Sequence, residues 1–200
     1  MGALVAVIGN SGVGKTTLAR RLSEAGGYKA YLETHSERPF QALCQQDLVR
    51  YALPNQLDYL LCRAEQESEI RNAAGVGVVD GGLELDFHLF TQLFHQRGML
   101  DAAGYELCER FYTFSRQHLP PPDLLVALHA PLDELLRRKQ ARARELDLVT
   151  AADDLAQMEE LLVAYLASVP AERLITVDAV QEDESYIGVV GELVDWINRV

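Results

Sequence analysis

The sequence lacks any long apolar run, since no stretch approaches the ~20 consecutive apolar residues that a membrane-spanning helix needs. Basic residues are also scarce: 18 Lys and Arg stand against 30 Asp and Glu, which gives a net charge of −12. This balance argues against general nucleic-acid binding, which requires a basic face. Cysteines are few, and Cys44, Cys62 and Cys108 have neither paired nor metal-like spacing. We therefore expect free thiols, no nucleic-acid or membrane partner, and a cytoplasmic protein without a signal peptide.

The apolar segments that are present have the length and composition of buried parallel strands. Four are strong and one, Tyr28–Leu32, is weaker; the strong ones are Leu4–Ile8, Val76–Val79, Leu124–Leu128 and Leu174–Val177. Helical patterns separate them at roughly 15–25, 40–50, 56–73, 84–97, 102–118, 132–146, 152–167 and 185–198. This alternation predicts an α/β fold, a doubly wound five-stranded parallel sheet flanked by helices, in one domain over residues 1–200. Ligands of such folds bind beyond the carboxyl ends of the strands.

A phosphate-binding loop follows the first strand and precedes the first helix. The motif G-x-x-x-x-G-K-[ST] is matched by Gly9, Asn10, Ser11, Gly12, Val13, Gly14, Lys15 and Thr16, with Thr17 opening the helix. Backbone N–H groups of such a loop surround the phosphates, and the helix N-terminus adds a partial positive charge. Lys15 is expected to reach the β- and γ-phosphates, and the Thr16 hydroxyl is a ligand for Mg²⁺. The loop therefore predicts binding of ATP with Mg²⁺.

Two acidic residues stand where strands end. Asp80 follows the most hydrophobic strand, which is the position of a carboxylate that holds Mg²⁺ opposite Thr16. Its alternative role is to cap the helix that begins near Leu83. Glu33 follows the second strand and could accept a proton from an attacking hydroxyl or bind a Mg²⁺-bound water. When Glu33 is considered alone, an ordinary surface position is the better explanation.

A cationic segment interrupts this acidic sequence between residues 137 and 144. Its cations are Arg137, Arg138, Lys139, Arg142 and Arg144. Arg138 and Arg142 are four residues apart and share a helix face, where they repel each other unless an anion lies between them. Such cations can neutralise the charge of a transferring phosphoryl group, so we interpret 137–148 as a lid. The alternative is a solvated helix face balanced by neighbouring acidic residues.

The ordered motifs resemble those of the deoxynucleoside kinases, especially the bacterial deoxyadenosine/deoxyguanosine type. After the loop and Glu33 comes Arg38-Pro39-Phe40, similar to the family's Asn-Pro-Phe/Tyr segment. Tyr51–Gln56 ends on the family's base-binding glutamine, and Arg63 follows seven residues later. Asp80 begins the family's Asp/Glu-Arg-Ser motif, with Asp86 six residues on. Pro121–Leu125 resembles the family's strand entry, and Arg138, Arg142 and Arg144 reproduce its lid spacing.

The resemblance implies a role for each of these residues. Lys15, Arg138 and Arg142 would promote transfer, with Arg142 and Arg144 closing over ATP. Glu33 would be the general base for a nucleoside 5′-hydroxyl. The base would be read by Gln56, Asp86 and Arg63, and the sugar would contact Asp147. The family also implies a homodimer formed by helices within 56–73 and 84–118.

Two motifs depart from the family pattern. The Arg-Ser of the motif is Gly81-Gly82 here, and Asp147 replaces a glutamate. From the sequence alone we expect Gly81→Arg to raise a nucleoside kinase rate, because a cation there would stabilise the transition state. The sequence thus predicts a deoxynucleoside-kinase-like phosphotransferase. It leaves open a kinase of another small hydroxyl-bearing metabolite and an ATP-binding regulatory module that has lost transfer.

Overall fold

Five parallel strands form one sheet in the order β2-β3-β1-β4-β5. The computed structural model describes residues 1–32, 38–142, 151–180 and 186–199. The strands are β1 (Ala3–Gly9), β2 (Lys29–Tyr31), β3 (Val76–Asp80), β4 (Leu124–His129) and β5 (Leu174–Asp178). Every pairing between neighbouring strands is parallel. The predicted doubly wound sheet and all five of its predicted strands are confirmed.

Helices pack against this sheet and account for most of the remaining described residues. They are α1 (Lys15–Gly26), α2 (Pro39–Gln46), α3 (Leu48–Asn72), α4 (Leu83–Leu85), α5 (Gln92–Gln96), α6 (Ala102–His118), α7 (Leu132–Arg142), α8 (Ala152–Leu166) and α9 (Ile187–Ile197). A π-helical turn, Asp86–Thr91, joins α4 to α5, and a 3-10 turn, Ala171–Arg173, precedes β5. Within the described ranges, no helix combines the length and apolar character needed to cross a membrane.

The core lies on both faces of β1 and β4, whose interior residues are buried. Because parallel strands covered on both faces expose neither set of side chains, they read as continuous apolar runs instead of alternating ones. Cys44, Cys62 and Cys108 are free, as predicted. Burial raises the pKa of the Cys44 and Cys108 thiols to about 11, so these two behave as small apolar core residues.

Helix α3 is longer than the sequence predicted. The helices predicted at 40–50 and 56–73 left a break between residues 50 and 56, a stretch that contains Pro54; a proline inside a helix lacks a backbone N–H and clashes with the preceding turn. The helix instead begins after Asp47, whose side chain accepts a hydrogen bond from the Arg50 N–H, and it continues through Pro54. Packing of α3 against α2 and α6 compensates for the lost hydrogen bond. The break falls earlier than predicted, at Asp47 between α2 and α3.

The residues predicted as a single helix over 84–97 form three consecutive turns of different kinds. A short α4 opens into the π-helical turn and closes again as α5. π-turns are rare and occur often at functional sites. Here the widened turn carries Asp86, one of the residues expected to bind substrate.

The prolines at 120–122 deliver the chain into β4, as the sequence suggested. Arg71 of α3 donates to the Pro121 carbonyl at 2.7 Å. Asp123 accepts a hydrogen bond from the Leu4 N–H at 2.7 Å and pairs with Arg71. These contacts join α3 to the amino ends of β1 and β4, on the side of the sheet opposite the phosphate loop.

Candidate active site

The phosphate loop joins the carboxyl end of β1 to the first turn of α1, in the predicted context. Gly14 lies at the N-cap of α1 with φ 115°. A Cβ on Gly14 would lie 2.3 Å from the Tyr186 hydroxyl, so a larger residue there would be strained by its positive φ and would displace Tyr186. The loop therefore presents its backbone N–H groups and the positive end of α1 toward one anion-binding site.

Lys15 is folded over this loop. Its Nζ donates to the carbonyl oxygens of Gly9 at 3.1 Å and Asn10 at 3.0 Å. The ammonium group thus lies above the loop backbone, where phosphate oxygens would exchange with the carbonyl groups as partners. Thr17 lies in the same helical turn with an exposed side chain.

Side chains from distant elements hold the loop in place. The Asn10 amide is buried and donates to the Leu155 carbonyl at 2.8 Å and to Glu159 at 3.0 Å, both on α8. Its Oδ1 accepts from the Ser11 N–H at 2.8 Å. Asn10 therefore uses its side chain to anchor the phosphate loop to α8.

Arg138 also anchors the loop. Its guanidinium donates to the Val13 carbonyl at 2.9 Å, to the Ala179 carbonyl at 2.8 Å and to Glu134 at 2.5 Å. Lys139 Nζ lies 3.3 Å from the Ser11 hydroxyl. The predicted lid thus begins in contact with the loop, and a role of Arg138 in transfer stays a prediction. Glu33, Arg144, Asp147 and the side chain of Arg142 lie outside the described residues.

Thr16 and Asp80 form the predicted metal-binding pair. The Thr16 hydroxyl donates to Asp80 Oδ2 at 2.5 Å across the ends of α1 and β3. Asp80 is fully buried, and its Oδ1 has no hydrogen-bond partner among the described residues. A buried carboxylate oxygen without a donor beside a hydroxyl oxygen fits a hard cation such as Mg²⁺, which also retains water and phosphate ligands. The alternative role of Asp80, capping the helix that begins at Leu83, is not observed, because Gly82 occupies the N-cap position of α4.

The residues expected to read the base come together between α3 and the π-turn. Arg63 Nε donates to Asp86 Oδ2 at 2.7 Å, and the two side chains are 3% and 5% exposed. Gln56 is buried one to two turns earlier on α3, within 3.1 Å of the Thr91 hydroxyl. That hydroxyl also contacts the Asp86 carbonyl at 2.9 Å. Gln56, Arg63 and Asp86 therefore belong to one polar cluster, and their role in binding a base stays a prediction.

Gly81 stands where the family pattern predicts arginine, and the backbone conformation explains the glycine. Gly81 has φ 93° and Gly82 has φ 94°, both in the region that favours glycine. The Gly81 N–H donates to the Val7 carbonyl at 2.9 Å, which turns the chain sharply after β3. A Cβ on Gly81 would lie 3.1 Å from Leu85 Cδ2 and 3.4 Å from a nitrogen of the Arg63 guanidinium. An arginine at this position would thus be strained and adjacent to an existing cation.

Sequence reasoning missed a buried ionic network that supports the π-turn. Arg116 of α6 binds both oxygens of Glu67, at 2.8 and 2.9 Å, and lies 2.9 Å from Glu84. Glu67 also accepts from the Leu83 N–H at 3.3 Å, and the Tyr112 hydroxyl donates to Glu84 at 2.5 Å. The partners are 16 to 49 residues apart, so no local spacing signals them. Glu67 and Glu84 were visible only as acidic residues on helices.

Burial and pairing shift the pKa of the Glu84 carboxyl in opposite directions. Burial alone would raise the pKa of this carboxyl, but hydrogen bonding to His88, the Arg116 charge and the Tyr112 hydroxyl together hold it below its ordinary value. The pKa of Arg116 is raised, because its contacts with Glu67 and Glu84 outweigh its burial. Glu84 and Arg116 are therefore both charged at neutral pH. The contacts of Arg116 with Glu67 and Glu84 fix the end of α6 against α3 and α4.

Comparisons with known proteins agree with this geometry. A family model for deoxynucleoside kinase matches residues 5–195. The chain is 27% identical over 150 residues to the deoxyadenosine/deoxycytidine kinase of Bacillus subtilis (strain 168), covering 74% of this chain and 69% of that protein. It is 22% identical over 189 residues to the deoxyguanosine kinase of the same organism, covering 90% and 87%.

Solved structures show the same fold. Deoxyadenosine kinase from M. mycoides with the products dCMP and a flexible dCDP has a TM-score of 0.82 at 21% identity, covering 98% of this chain and 100% of that chain. The same kinase with bound dATP has a TM-score of 0.81 at 19% identity, covering 96% and 99%. Since the family model spans nearly the whole chain, this protein belongs to the deoxynucleoside kinase family and is a phosphotransferase.

Proposed function

We propose that this protein transfers the γ-phosphate of ATP to the 5′-hydroxyl of a deoxynucleoside in the cytoplasm. The observation that carries the proposal is the short distance in sequence between the two halves of the site. Asp80 ends β3 beside the phosphate loop, and only six residues later Asp86 lies beside Gln56 and Arg63. A phosphate-binding half and a base-binding half are thus joined by one turn.

The donor half supplies positioning and positive charge. Backbone N–H groups of the loop and the α1 N-terminus would bind the β-phosphate, and Lys15 would contact the β- and γ-phosphates. Thr16 and Asp80 would hold Mg²⁺, which when bound neutralises charge on the phosphate oxygens. Because the loop is anchored by Asn10 and Arg138, these donors are ordered before the nucleotide arrives, which lowers the cost of organising them during transfer.

The acceptor half supplies recognition and proton transfer. Gln56 and Asp86 would bind the edge of the base, and the ion pair with Arg63 keeps the Asp86 carboxylate in place. Glu33 would accept the proton of the 5′-hydroxyl as that oxygen attacks the γ-phosphorus, and ADP would leave. Asp147 would contact the sugar, while Arg142 and Arg144 would close over the phosphates and exclude water. A nucleoside without the matching base edge would leave buried polar groups unpaired, which is how such a site discriminates.

Acceptor-dependent ATP consumption tests this proposal. Purified protein with Mg²⁺ and ATP is assayed against deoxynucleosides, ribonucleosides and deoxynucleotides. We expect consumption to be stimulated by one or a few deoxynucleosides and to fall about a hundredfold or more in Lys15→Ala, since that change removes a transition-state cation. Bound ATP without stimulation by any acceptor would contradict the proposal and favour a regulatory module.

We further propose that two chains associate through the outer faces of α3 and α6. Leu61 of α3 is 48% exposed, and Leu107 and Phe114 of α6 are 41% and 61% exposed. Leu107, Phe111 and Phe114 are spaced three and four residues apart along α6 and line a shallow groove of about 530 Å³. Polar and charged residues of α6 line the rest of this groove. A group of exposed apolar side chains with a polar rim is typical of a protein–protein interface.

A further inference from the structure

The hydroxyl of Thr91 lies between two hydrogen-bond acceptors. Its Oγ1 is 2.9 Å from the Asp86 carbonyl oxygen and 3.1 Å from Gln56 Oε1. Thr91 is fully buried and Gln56 is 3% exposed, so bulk water is not available to satisfy this group. The arrangement thus has to be resolved among the protein groups themselves.

A threonine hydroxyl carries one proton and can donate it to only one of these acceptors at a time. The Asp86 carbonyl is the nearer one, and it lies five residues before Thr91. In an ordinary α-helix a threonine hydroxyl bonds to the carbonyl three or four residues back. The bond to Asp86 is the equivalent contact in a π-turn, so it belongs to the local backbone conformation. The proton therefore goes to Asp86, which leaves an oxygen of Gln56 facing an oxygen of Thr91.

Rotation of the Gln56 amide by half a turn resolves this conflict. The amide oxygen and nitrogen have nearly the same shape, and their assignment follows from the hydrogen-bond network. After rotation, Nε2 donates to the lone pair of Thr91 Oγ1 and Thr91 donates to the Asp86 carbonyl. Every group in the chain Gln56–Thr91–Asp86 then has a partner. The Oε1 of Gln56 turns to the other side of the amide, away from Thr91.

We propose that Thr91 is a positioning residue that fixes the Gln56 amide with Oε1 toward the base, so that the site prefers bases with an exocyclic amino group. This inference rests on the proposed function. The Asp86 carboxylate is also an acceptor, and its ion pair with Arg63 holds it in the same cluster. Two acceptors match the amino group of adenine or cytosine and oppose the carbonyl oxygen at the same place in hypoxanthine or thymine.

The test compares deoxyadenosine with deoxyinosine, which carries a carbonyl in place of the 6-amino group. Values of kcat/KM are measured for both acceptors in the wild-type protein, in Thr91→Val and in Thr91→Ser. We expect the wild type to prefer deoxyadenosine by roughly tenfold or more, because a wrong base edge leaves buried acceptors unpaired. Thr91→Val keeps the shape but loses the hydroxyl, so the preference should fall several-fold. Thr91→Ser keeps the hydroxyl and should keep the preference.

The outcomes separate this inference from the proposed function. A folded Thr91→Val with the wild-type preference would overturn the inference and leave nucleoside phosphorylation intact. A wild type that prefers deoxyinosine would overturn it without any variant. Absence of phosphorylation of every nucleoside would overturn the proposed function and this inference together.

Discussion

Gly81 and Gly82 determine how the chain leaves β3 and enters the site. Both have positive φ, and a Cβ on Gly82 would lie 3.1 Å from a methyl group of Val79. The sharp turn they allow brings Glu84 into the buried network and Asp86 into the cluster with Gln56 and Arg63. The Arg63 guanidinium lies next to Gly81, so a cation is already present near the position where other family members carry the motif arginine.

The structure reverses our sequence-based expectation for Gly81→Arg. We now expect this variant to lose about 1–3 kcal/mol of unfolding free energy, because a residue with a side chain is strained at φ 93°. We also expect no gain in the nucleoside kinase rate, since the new cation would repel Arg63. Urea denaturation and kcat measure the two effects. Gly81→Ala is the matched control for backbone strain, and an arginine variant faster than both the alanine variant and the wild type would contradict this account.

The sequence predicts the residues that belong to a recognisable motif and misses those that belong to none. The loop, Asp80 and the set Gln56, Arg63 and Asp86 were predicted because motifs carry them. Thr91 and Asn10 were not assigned side-chain roles. Thr91 contacts a residue 35 positions away, and the Asn10 side chain contacts residues 145 and 149 positions away. Only the folded chain shows which acceptors these side chains meet.

Among the elements, α6 is important because Arg116 near its end pairs with carboxylates of α3 and α4. Glu67 is 1% exposed and Glu84 is 4% exposed. Removing one partner of such a buried set leaves a desolvated charge, which costs more than the pair contributes. The position of the π-turn therefore depends on Glu84 staying ionised beside Arg116.

The contribution of ionised Glu84 should be visible in how the free energy of unfolding changes with pH. The pKa of Glu84 is below its ordinary value of 4.5 in the folded protein. Its contribution is therefore present above pH 4.5 and is lost as the pH falls through the lower, folded-state pKa. We expect the unfolding free energy to decrease more steeply with acidification in the wild type than in Glu84→Gln, when urea titrations are run between about pH 7 and pH 3. Parallel curves for the two proteins would contradict the assignment.

The boundaries of helices and strands differ from the prediction where tertiary packing outweighs the local preference of the sequence. The strands were predicted because buried parallel strands read as continuous apolar runs. The path of α3 through Pro54 was not predicted, because packing against α2 and α6 outweighs the lost hydrogen bond. The π-turn was not predicted either, since its sequence has the same periodicity as an ordinary helix until tertiary contacts widen it.

For the whole molecule, the strand order places the phosphate loop and Asp80 side by side. β1 is paired with β3, and Val7 is in register with Asp80. The parallel direction of all strands brings the loop, the metal-binding pair and the start of α4 to the same edge of the sheet. Leu61 of α3 and Leu107 and Phe114 of α6 are large apolar side chains that stay exposed, and they are the basis of the proposed dimer.

The proposed dimer can be tested by introducing a charged residue on the outer face of α6. The wild type should elute at about twice its chain mass of 22.3 kDa in light scattering coupled to size exclusion. Phe114→Glu should shift it to the monomer, because the change buries an unpaired charge at the interface. Val163→Glu on α8 is the control, since Val163 is 60% exposed on another helix. A dimer that persists in Phe114→Glu, or a monomeric wild type, would contradict the assigned surface.

The central claim is that phosphate is transferred to the 5′-hydroxyl of a deoxynucleoside. The most direct measurement is identification of the product formed from ATP, Mg²⁺ and deoxyadenosine by mass spectrometry and phosphorus NMR. We predict ADP and the 5′-monophosphate in equal amounts, and no phosphorylated product when the acceptor is 5′-deoxyadenosine, which lacks the attacking oxygen. Phosphate released to water alone, or a phosphate found on another hydroxyl, would contradict the account.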